Sequence, residues 1–361
     1  MPILEEPREW LTSKSDWRPQ VVNFALGQIK GGLPERAMTR DLDWGIPVPL
    51  EDPDAKGKVL YVWFDAPIGY VSFTSQLLEN QGLSQTEYEK WWKNPECKIV
   101  HFIGEDNIIF HSLIWPAMLM AEGSYQLPHQ VVANSFLNIR FPGSDEEKIS
   151  KSRGTAIWIE DFLKEHDPDP LRYYLTAIAP EGARTAYEPD EFVKRNDGEL
   201  LANLGNFVNR TVTFAHKYFE GKVPEVGARD EVDYRQLAVR GEQLAKTAEQ
   251  LEGCHFRAGL AEMMALARAG NGYLDQKKPW VQRKTDLAAC GTSINVCLQT
   301  VRTLIALMQP FLPHSARRTA SMLRLGDDAY RWDRATDELP AGQTLGEAVM
   351  LFRKLGEEVK G

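Results

Sequence analysis

The sequence predicts an α/β domain with a parallel sheet, followed by an all-α helical bundle. Between residues 58 and 133, short runs of β-branched and aromatic residues alternate with segments of helical periodicity, an order typical of a parallel sheet with helices on its faces. From about residue 189 onward, apolar residues recur about every 3.6 positions without a strand candidate between them. The chain has 361 residues, 43% of them hydrophobic, which is enough for two or three domains with packed cores.

The first part of the chain contains the strand candidates. Residues 1–36 carry tryptophans among charged residues and are expected to be mostly helical, and residues 39–49 form an extended, turn-rich segment. Ligands of parallel sheets bind beyond the carboxyl ends of the strands, so residues that directly follow a strand are candidates for a binding site. Strands are predicted at 58–64, 98–103 and 130–133, and helices at 86–93 and 107–121.

The second part contains four segments of helical periodicity, and prolines punctuate this part of the chain. We predict that they pack as a helical bundle. Residues 327–340 are polar and loop-like, whereas residues 342–360 show a pattern that can form one last amphipathic helix. The four helical segments are 190–218, 231–251, 255–276 and 284–309.

Composition excludes some classes of protein. The net charge of −9 argues against broad electrostatic attraction to nucleic acid, although local basic and aromatic patches can still bind an RNA. No apolar stretch reaches the ~20 residues that span a bilayer, and the first residues do not resemble a signal peptide, so a cytoplasmic location is expected. The cysteines show neither a zinc-binding spacing nor a disulfide framework; they are Cys97, Cys254, Cys290 and Cys297.

A lysine- and serine-rich string, KISKS, occupies residues 148–152. It follows a turn-prone stretch at 141–145, and a loop of this composition can present Lys148 and Lys151 to a polyphosphate. Short strings of this kind are also common in solvated loops, so the string by itself does not distinguish between the two interpretations.

Five further motifs accompany this string. In order and spacing, the set resembles the class I aminoacyl-tRNA synthetases, specifically the methionyl-tRNA synthetase family, from about residue 15 to about residue 320. KISKS is similar to the Lys-Met-Ser-Lys-Ser loop of that class. The five motifs are YVWFDAPIGY at 61–70, HFIGEDNIIFH at 101–111, LIWPA at 113–117, NSFL at 134–137 and LRYYL at 171–175.

Two features of the family are absent from this sequence. It contains no His-x-Gly-His motif, and it lacks the Cys-x-x-Cys knuckles of the family's connective domain. The chain therefore resembles the carboxy-terminal two-thirds of the family. The resemblance implies the end of the connective region, then the second half of a Rossmann-like catalytic domain with the KISKS loop, a helical anticodon-binding domain and a tail. The expected bounds are 1–36, 37–188, 189–325 and 326–361.

The resemblance implies a methionine–tRNA ligase. Such an enzyme activates methionine with ATP, which enters with Mg²⁺ as a substrate, and transfers the methionyl group to a tRNA that carries a CAU anticodon. Two interpretations stay open. The chain is a partial chain of the ligase or one part of a split enzyme, which would work with a separate chain carrying the amino-terminal half. Alternatively, it is a catalytically inactive remnant that binds tRNA.

The resemblance also assigns the nucleotide-binding residues. Lys148 and Lys151 stabilise the charge that builds on the phosphates, and Lys151 corresponds to the family's second lysine. Gly104 and Asp106 hold the ATP ribose, because glycine allows close approach of the backbone and a carboxylate accepts hydrogen bonds from ribose hydroxyls. The alternative for Asp106 or Asn107 is an ordinary helix N-cap.

The methionine pocket is expected to be apolar and aromatic, since aromatic edges contact sulfur favourably. Most buried tryptophans are simply core residues, which is the alternative for each aromatic taken singly. The resemblance assigns this pocket to Trp63, Ala66, Pro67, Tyr70, His111 and Trp115.

Anticodon recognition is assigned to two segments of the helical part. Asn206 and Arg210 are four residues apart on one helix face, and Pro279 and Trp280 form the second segment. Trp280 can stack on an unpaired base, while Asn206 and Arg210 bond to base edges. The alternatives are a hydrogen bond within the bundle for Asn206 and helix-end packing for Trp280.

Overall fold

The computed structural model describes residues 5–33, 37–152 and 154–356. The chain divides into one unit formed by Met1–Phe136 with Pro180–Ala183 and another formed by Leu137–Ala179 with Arg184–Gly361. None of the helices in the described ranges is both long and apolar enough to cross a membrane.

The first unit begins with two helices, α1 (Glu5–Thr12) and α2 (Pro19–Lys30). Pro19 suits the first turn of α2, where the missing N–H is not needed. Val21 and Ala25 lie four residues apart on the buried face of α2, in one apolar cluster with residues of the parallel sheet described below. The expected helical start is therefore confirmed for α1 and α2, while residues 1–4 and 34–36 lie outside the described ranges.

The predicted strand at 58–64 is wrong beyond its first residues. β1 (Thr39–Arg40) pairs antiparallel with β2, which comprises only Val59–Leu60. Residues Val62–Asp65 form a helical turn, α3, which continues through a 3₁₀ turn into α4 (Gly69–Asn80). The β-propensity of these residues is overridden here, because they form part of the helical path that leads into α4.

A two-stranded parallel sheet follows. After a 3₁₀ turn and α5 (Glu89–Trp92), β3 (Val100–Gly104) pairs in parallel with β4 (Gln130–Asn134). The register places Gly104 opposite Asn134 at the carboxyl ends of both strands. The strands predicted at 98–103 and 130–133 are thus confirmed.

The helix predicted at 107–121 is interrupted. A 3₁₀ turn at Glu105–Asn107 is followed by a π-helical segment, Phe110–Ile114, and then by α6 (Trp115–Glu122). The Trp115 N–H donates to the carbonyl of Phe110, five residues back. Pro116 has no N–H for a regular helical bond, and a π-type turn is one way in which a helix accommodates such a break.

The second unit opens with a small mixed sheet. β5 (Leu137–Ile139) lies in the middle, antiparallel to β6 (Glu147–Lys148) and parallel to a third strand, β7. Helices α7 (Ile159–Glu165) and α8 (Pro168–Ala177) precede β7 (Thr185–Tyr187) in the chain. Side chains of this sheet and of α8 share one apolar cluster, which includes Ile139, Leu171, Tyr174 and Tyr187.

The remainder of the second unit is the predicted helical bundle. α14 lies at its centre, because every residue from Cys290 to Met308 is buried. A π-helical segment, Asn196–Gly205, joins the first two helices of the bundle. The helices are α9 (Pro189–Arg195), α10 (Asn206–Tyr218), α11 (Glu231–Glu252), α12 (Phe256–Lys277), α13 (Pro279–Thr285), α14 (Leu287–Met308) and α15 (Pro313–Met322).

The amphipathic helix expected at 342–360 is wrong for residues 342–356, which contain no helix. Several of their apolar side chains, Leu345, Leu351 and Phe352, are instead buried in the bundle core. The backbone bonds to other segments: the Leu355 N–H donates to Asp197 at 2.9 Å. These tertiary bonds replace the internal bonds of a helix, so the segment forms an extended strap. The last residues of the expected helix lie outside the described ranges.

Candidate active site and nucleic-acid interface

Three of the aromatic and histidine side chains in the first unit form a tight group, here called the ring group: Tyr70, His101 and His111. Their ring centroids lie 5.2 to 5.8 Å apart. His111 Nδ1 lies 3.1 Å from the Asn107 carbonyl, so this nitrogen donates and Nε2 accepts. The Tyr70 hydroxyl donates to that Nε2 at 2.9 Å. The hydrogen bonds thus fix His111 in one neutral tautomer.

Burial keeps the ring group uncharged. It lowers the pKa of His101 to about 4, with His111 nearby as a second cause, and it also lowers the pKa of His111. Both imidazoles are therefore neutral at pH 7. A neutral aromatic surface suits an uncharged thioether, because aromatic rings contact sulfur favourably.

Trp63, Ala66 and Pro67 come from the helical turns before α4. Trp63 is half exposed and packs against Phe110 at a centroid distance of 5.8 Å. Trp63 also lines an open cavity of about 580 Å³. Pro67 is buried and Ala66 is exposed. The π-helical segment that carries Phe110 also carries His111, so it contributes to both groups of rings.

Trp115 is buried more deeply than the other pocket candidates. It is 3% exposed and belongs to an apolar cluster with Val71, Trp92 and Leu119. Its indole Nε1 has no hydrogen-bond partner among the described residues. Trp115 thus lies in the apolar core. Val71, which belongs to the same cluster, directly follows Tyr70 in the chain.

Gly104 is the last residue of β3 and Asp106 follows it, at the strand end where the sequence predicted a ligand site. A Cβ atom on Gly104 would lie 2.7 Å from Asp106 Oδ1, so glycine is required for this position of the carboxylate. Asp106 is exposed. In the part of the chain that the structure describes, no backbone N–H donates to Asp106, so the carboxylate does not act as an N-cap here.

The KISKS loop in the second unit is a tight turn. β6 ends at Lys148, and Ser150 and Thr155 then close the loop: the Ser150 N–H donates to Thr155 Oγ1 at 2.9 Å, and the Thr155 N–H donates to the Ser150 carbonyl at 3.1 Å. Gly154 has a φ of +72°, which favours glycine. The turn leaves both Lys148 and Lys151 exposed, and Lys151 Nζ lies 5.2 Å from the Trp158 ring centroid.

An apolar cavity of about 120 Å³ lies beside this loop. It is lined by residues of the loop flanks, Ile149 and Ile157, and by residues of the sheet and α8, such as Ile139 and Leu171. The loop therefore has apolar residues on its flanks and charged residues at its tip.

The candidate anticodon residues lie on α10 and α13. The Arg210 guanidinium carbon is 5.4 Å from the Trp280 ring centroid, and Arg210 Nη2 is 3.8 Å from Asp275 Oδ1. The structure thus brings Arg210 and Trp280 together from segments 70 residues apart. Asn206, the first residue of α10, is exposed and donates to the Ala202 carbonyl.

An ion-pair network, buried at Asp233 and exposed at Asp230, supports the corner before α13. Lys277 Nζ lies 2.8 Å from Asp230 and 2.9 Å from Asp233, and the Tyr273 hydroxyl donates to Asp233 at 2.6 Å. Lys278 then adopts a left-handed conformation with φ +49°, and Pro279 begins α13. This corner sets the direction in which α13 presents Trp280.

Two features of these sites, His101 of the ring group and the Lys277 ion-pair network, were not predicted from the sequence. His101 stands at the start of a recognised motif but was not assigned a role. No local pattern predicts the Lys277 network, because its carboxylates, Asp233 of α11 and Asp230 just before that helix, lie more than 40 residues earlier in the chain. Within the described ranges, no group of three or more His, Cys, Asp or Glu side chains could hold a metal ion.

Two family models match this chain. Residues 3–212 match the model described as "tRNA synthetases class I (M)". The chain belongs to the methionyl class I tRNA synthetases. Residues 223–360 match a second model, "Anticodon binding domain of methionyl tRNA ligase". The family and the fold class predicted from the motifs are thereby confirmed.

Curated relatives agree with the family. A methionine–tRNA ligase of Thermococcus kodakarensis is 43% identical over 97% of this chain, and the alignment covers 48% of that protein. A methionine–tRNA ligase of Phocaeicola vulgatus is 44% identical over 97% of this chain and 50% of its own length. The chain spans about half the length of the curated relatives it matches.

Solved structures share the fold. Mycobacterium tuberculosis methionyl-tRNA synthetase bound by methionyl-adenylate has a TM-score of 0.84 and 25% identity, over 97% of this chain and 66% of that one. A second structure of the same synthetase with methionyl-adenylate gives the same TM-score and 26% identity, over 96% of this chain and 66% of its own.

Proposed function

We propose that this chain contributes the methionine-binding, nucleotide-binding and anticodon-binding residues of a methionine–tRNA ligase. The observation that carries the proposal is the ring group, in which His111 bonds to the carbonyl of Asn107, three residues after β3 ends. This neutral, hydrogen-bonded aromatic surface lies in the same unit as Gly104 and Asp106. These two residues lie at the strand end, where sheets of this type bind nucleotides. Membership of the family links the aromatic surface and the nucleotide-binding strand end to one reaction, the activation of methionine with ATP.

In that reaction the methionine carboxylate attacks the α-phosphorus of ATP, a P–O bond forms, and pyrophosphate leaves. A ribose hydroxyl of the tRNA terminus then attacks the adenylate carbonyl, loses its proton and displaces AMP. Negative charge grows on the phosphates in the first step. We assign its stabilisation to Lys148 and Lys151, and the ribose contact to Asp106. ATP is expected to enter with Mg²⁺.

The methionine side chain is assigned to Trp63, Ala66, Pro67, Tyr70, His111 and Trp115. The Tyr70 hydroxyl is already bonded to His111, so its ring and the imidazole present a fixed surface to the thioether. Such a pocket discriminates weakly against slightly smaller apolar side chains, because one methylene changes binding by only ~1–3 kcal/mol.

The anticodon assignment rests on Arg210 and Trp280, with Asn206 and Pro279. The contact between Arg210 and Trp280 holds a cation and a partly exposed ring side by side, which suits stacking and base-edge contacts with an unpaired nucleotide. We propose that the bound RNA is a tRNA with a CAU anticodon. This assembled pair also supports the second candidate, a tRNA-binding protein without ligase activity.

Two assays on the purified chain separate these candidates. The first is methionine-dependent exchange of labelled pyrophosphate into ATP, and the second is a binding titration with tRNAs that differ only in the anticodon. Exchange that depends on Lys151 supports the ligase. Anticodon preference without exchange, alone or with a chain carrying His-x-Gly-His, leaves the binding protein. Absence of both results contradicts the proposal.

A further inference from the structure

Arginine and aromatic side chains join α10 to α13 twice, in opposite directions. Arg210 of α10 lies over Trp280 of α13, and Arg283 of α13 lies over Tyr218 of α10 with its guanidinium carbon 4.6 Å from the ring centroid. Lys217 Nζ approaches the same Tyr218 ring at 5.3 Å. We propose that Lys217, Tyr218 and Arg283, here called the Tyr218 patch, bind a backbone phosphate of the RNA whose anticodon contacts Arg210 and Trp280.

The two cations of the Tyr218 patch are exposed and lack acidic partners. Lys217 and Arg283 are both exposed, and among the described residues no carboxylate lies within 4.0 Å of either side chain. Arg210, in contrast, has Asp275 at 3.8 Å. In a protein with a net charge of −9, two neighbouring cations without a carboxylate form a local site for an anion.

The patch continues the stripe of α10 that carries the proposed base contacts. At about 100° per residue, Asn206, Arg210 and Lys217 lie within roughly 40° of one another around the helix. Lys217 is about 10 Å further along the axis than Arg210. On α13, Arg283 follows Trp280 by one turn. An RNA strand that reaches Arg210 and Trp280 therefore has its backbone within reach of the patch.

The chemistry of the patch favours phosphate over a base. The Tyr218 ring already has two cations and Phe214, at a centroid distance of 4.5 Å, around it, so the patch presents charge rather than a free aromatic face. Phosphate contacts position an RNA but carry no sequence information. The patch should therefore increase affinity for every tRNA equally.

One simpler role competes with this proposal. Lys217 and Arg283 stand in the last turns of α10 and α13, where cations stabilise the helix dipole. That role predicts a change in melting temperature and no change in the salt dependence of RNA binding, so the two roles have different readouts.

The proposal rests on the proposed anticodon function and is tested with the full chain. The variants are Arg283→Gln and Lys217→Gln, singly and together, which keep side-chain length and remove charge. Lys246→Gln, at an exposed lysine of α11, is the matched control. Kd for tRNAs with CAU and other anticodons is measured at several salt concentrations, and melting temperature is recorded for each variant.

We expect each patch variant to weaken binding several-fold for all tRNAs and to reduce the slope of log Kd against log salt by about 1. The control should leave both unchanged. Unaltered slopes in the double variant, or a loss of anticodon preference at constant slope, overturn the phosphate contact. If the wild type itself shows no anticodon preference, the proposed function fails, and the salt slopes still report on the patch independently.

Discussion

The ring group and the exposed cations arrange functional side chains in opposite ways. In the ring group, burial keeps His101 and His111 neutral, and two hydrogen bonds hold His111 in place. Lys151 and Arg210 are exposed, and each lies over a tryptophan ring at 5.2 and 5.4 Å. An uncharged thioether side chain needs a surface prepared before it binds, whereas phosphates and RNA need charges that water still reaches. Substitutions in the two regions should therefore fail in different assays.

The largest effect is expected at Lys151. In an enzyme form that catalyses pyrophosphate exchange, Lys151→Ala should lower the adenylation rate by roughly 10²-fold, because it removes a cation placed where charge develops. Methionine affinity should change little, since the ammonium acts mainly on the transition state. Single-turnover kinetics and methionine titration measure the two quantities. Weakened methionine binding at an unchanged adenylation rate would contradict this role, because Lys151 would then contribute to methionine binding, as proposed for the ring group.

The next effect concerns Trp280 and Arg210. Trp280→Ala should weaken tRNA binding by ~1–3 kcal/mol, the usual contribution of one stacked base. Arg210→Ala should also erode discrimination between anticodons, because base-edge contacts carry sequence information. Titrations at one fixed salt concentration compare both variants with Trp158→Ala, which removes the ring beside Lys151 instead. Equal losses in all three variants would contradict a local anticodon site.

The smallest effect is a pH dependence of the ring group. Burial lowers the folded-state pKa of His101 to about 4, below the ~6.5 of an unfolded chain, so the neutral imidazole stabilises the fold above pH 6.5. This stability is lost as pH falls from about 6.5 toward 4, by about 2 kcal/mol at pH 5. Urea unfolding at pH 7 and pH 5 should show a smaller loss in His101→Phe than in the wild type. An identical loss in both would show that His101 does not titrate as the structure implies.

Local pattern predicted much of the molecule. The strand ends at Gly104 and Asn134 and the helices of the bundle agree with expectations from periodicity. The family resemblance assigned Arg210 and Trp280 to one site, and the two side chains do lie in contact. Residues 58–64 and 342–356 did not follow their local pattern. In the first, Val62–Asp65 form a helical turn that leads into α4. In the second, several apolar side chains are buried in the bundle core.

The sequence by itself determined the family, the order of sheet and bundle and the residue types of each candidate site, because these depend on motifs and periodicity within short segments. Only the tertiary structure decided that His101 packs with Tyr70 and His111. It also decided that Lys277 stabilises the corner before Trp280. In the same way, it placed Lys217 and Arg283 beside the Tyr218 ring. These groups join residues from segments distant in the chain. Burial, ion pairing and ring contacts between such segments depend on packing, which no local pattern encodes.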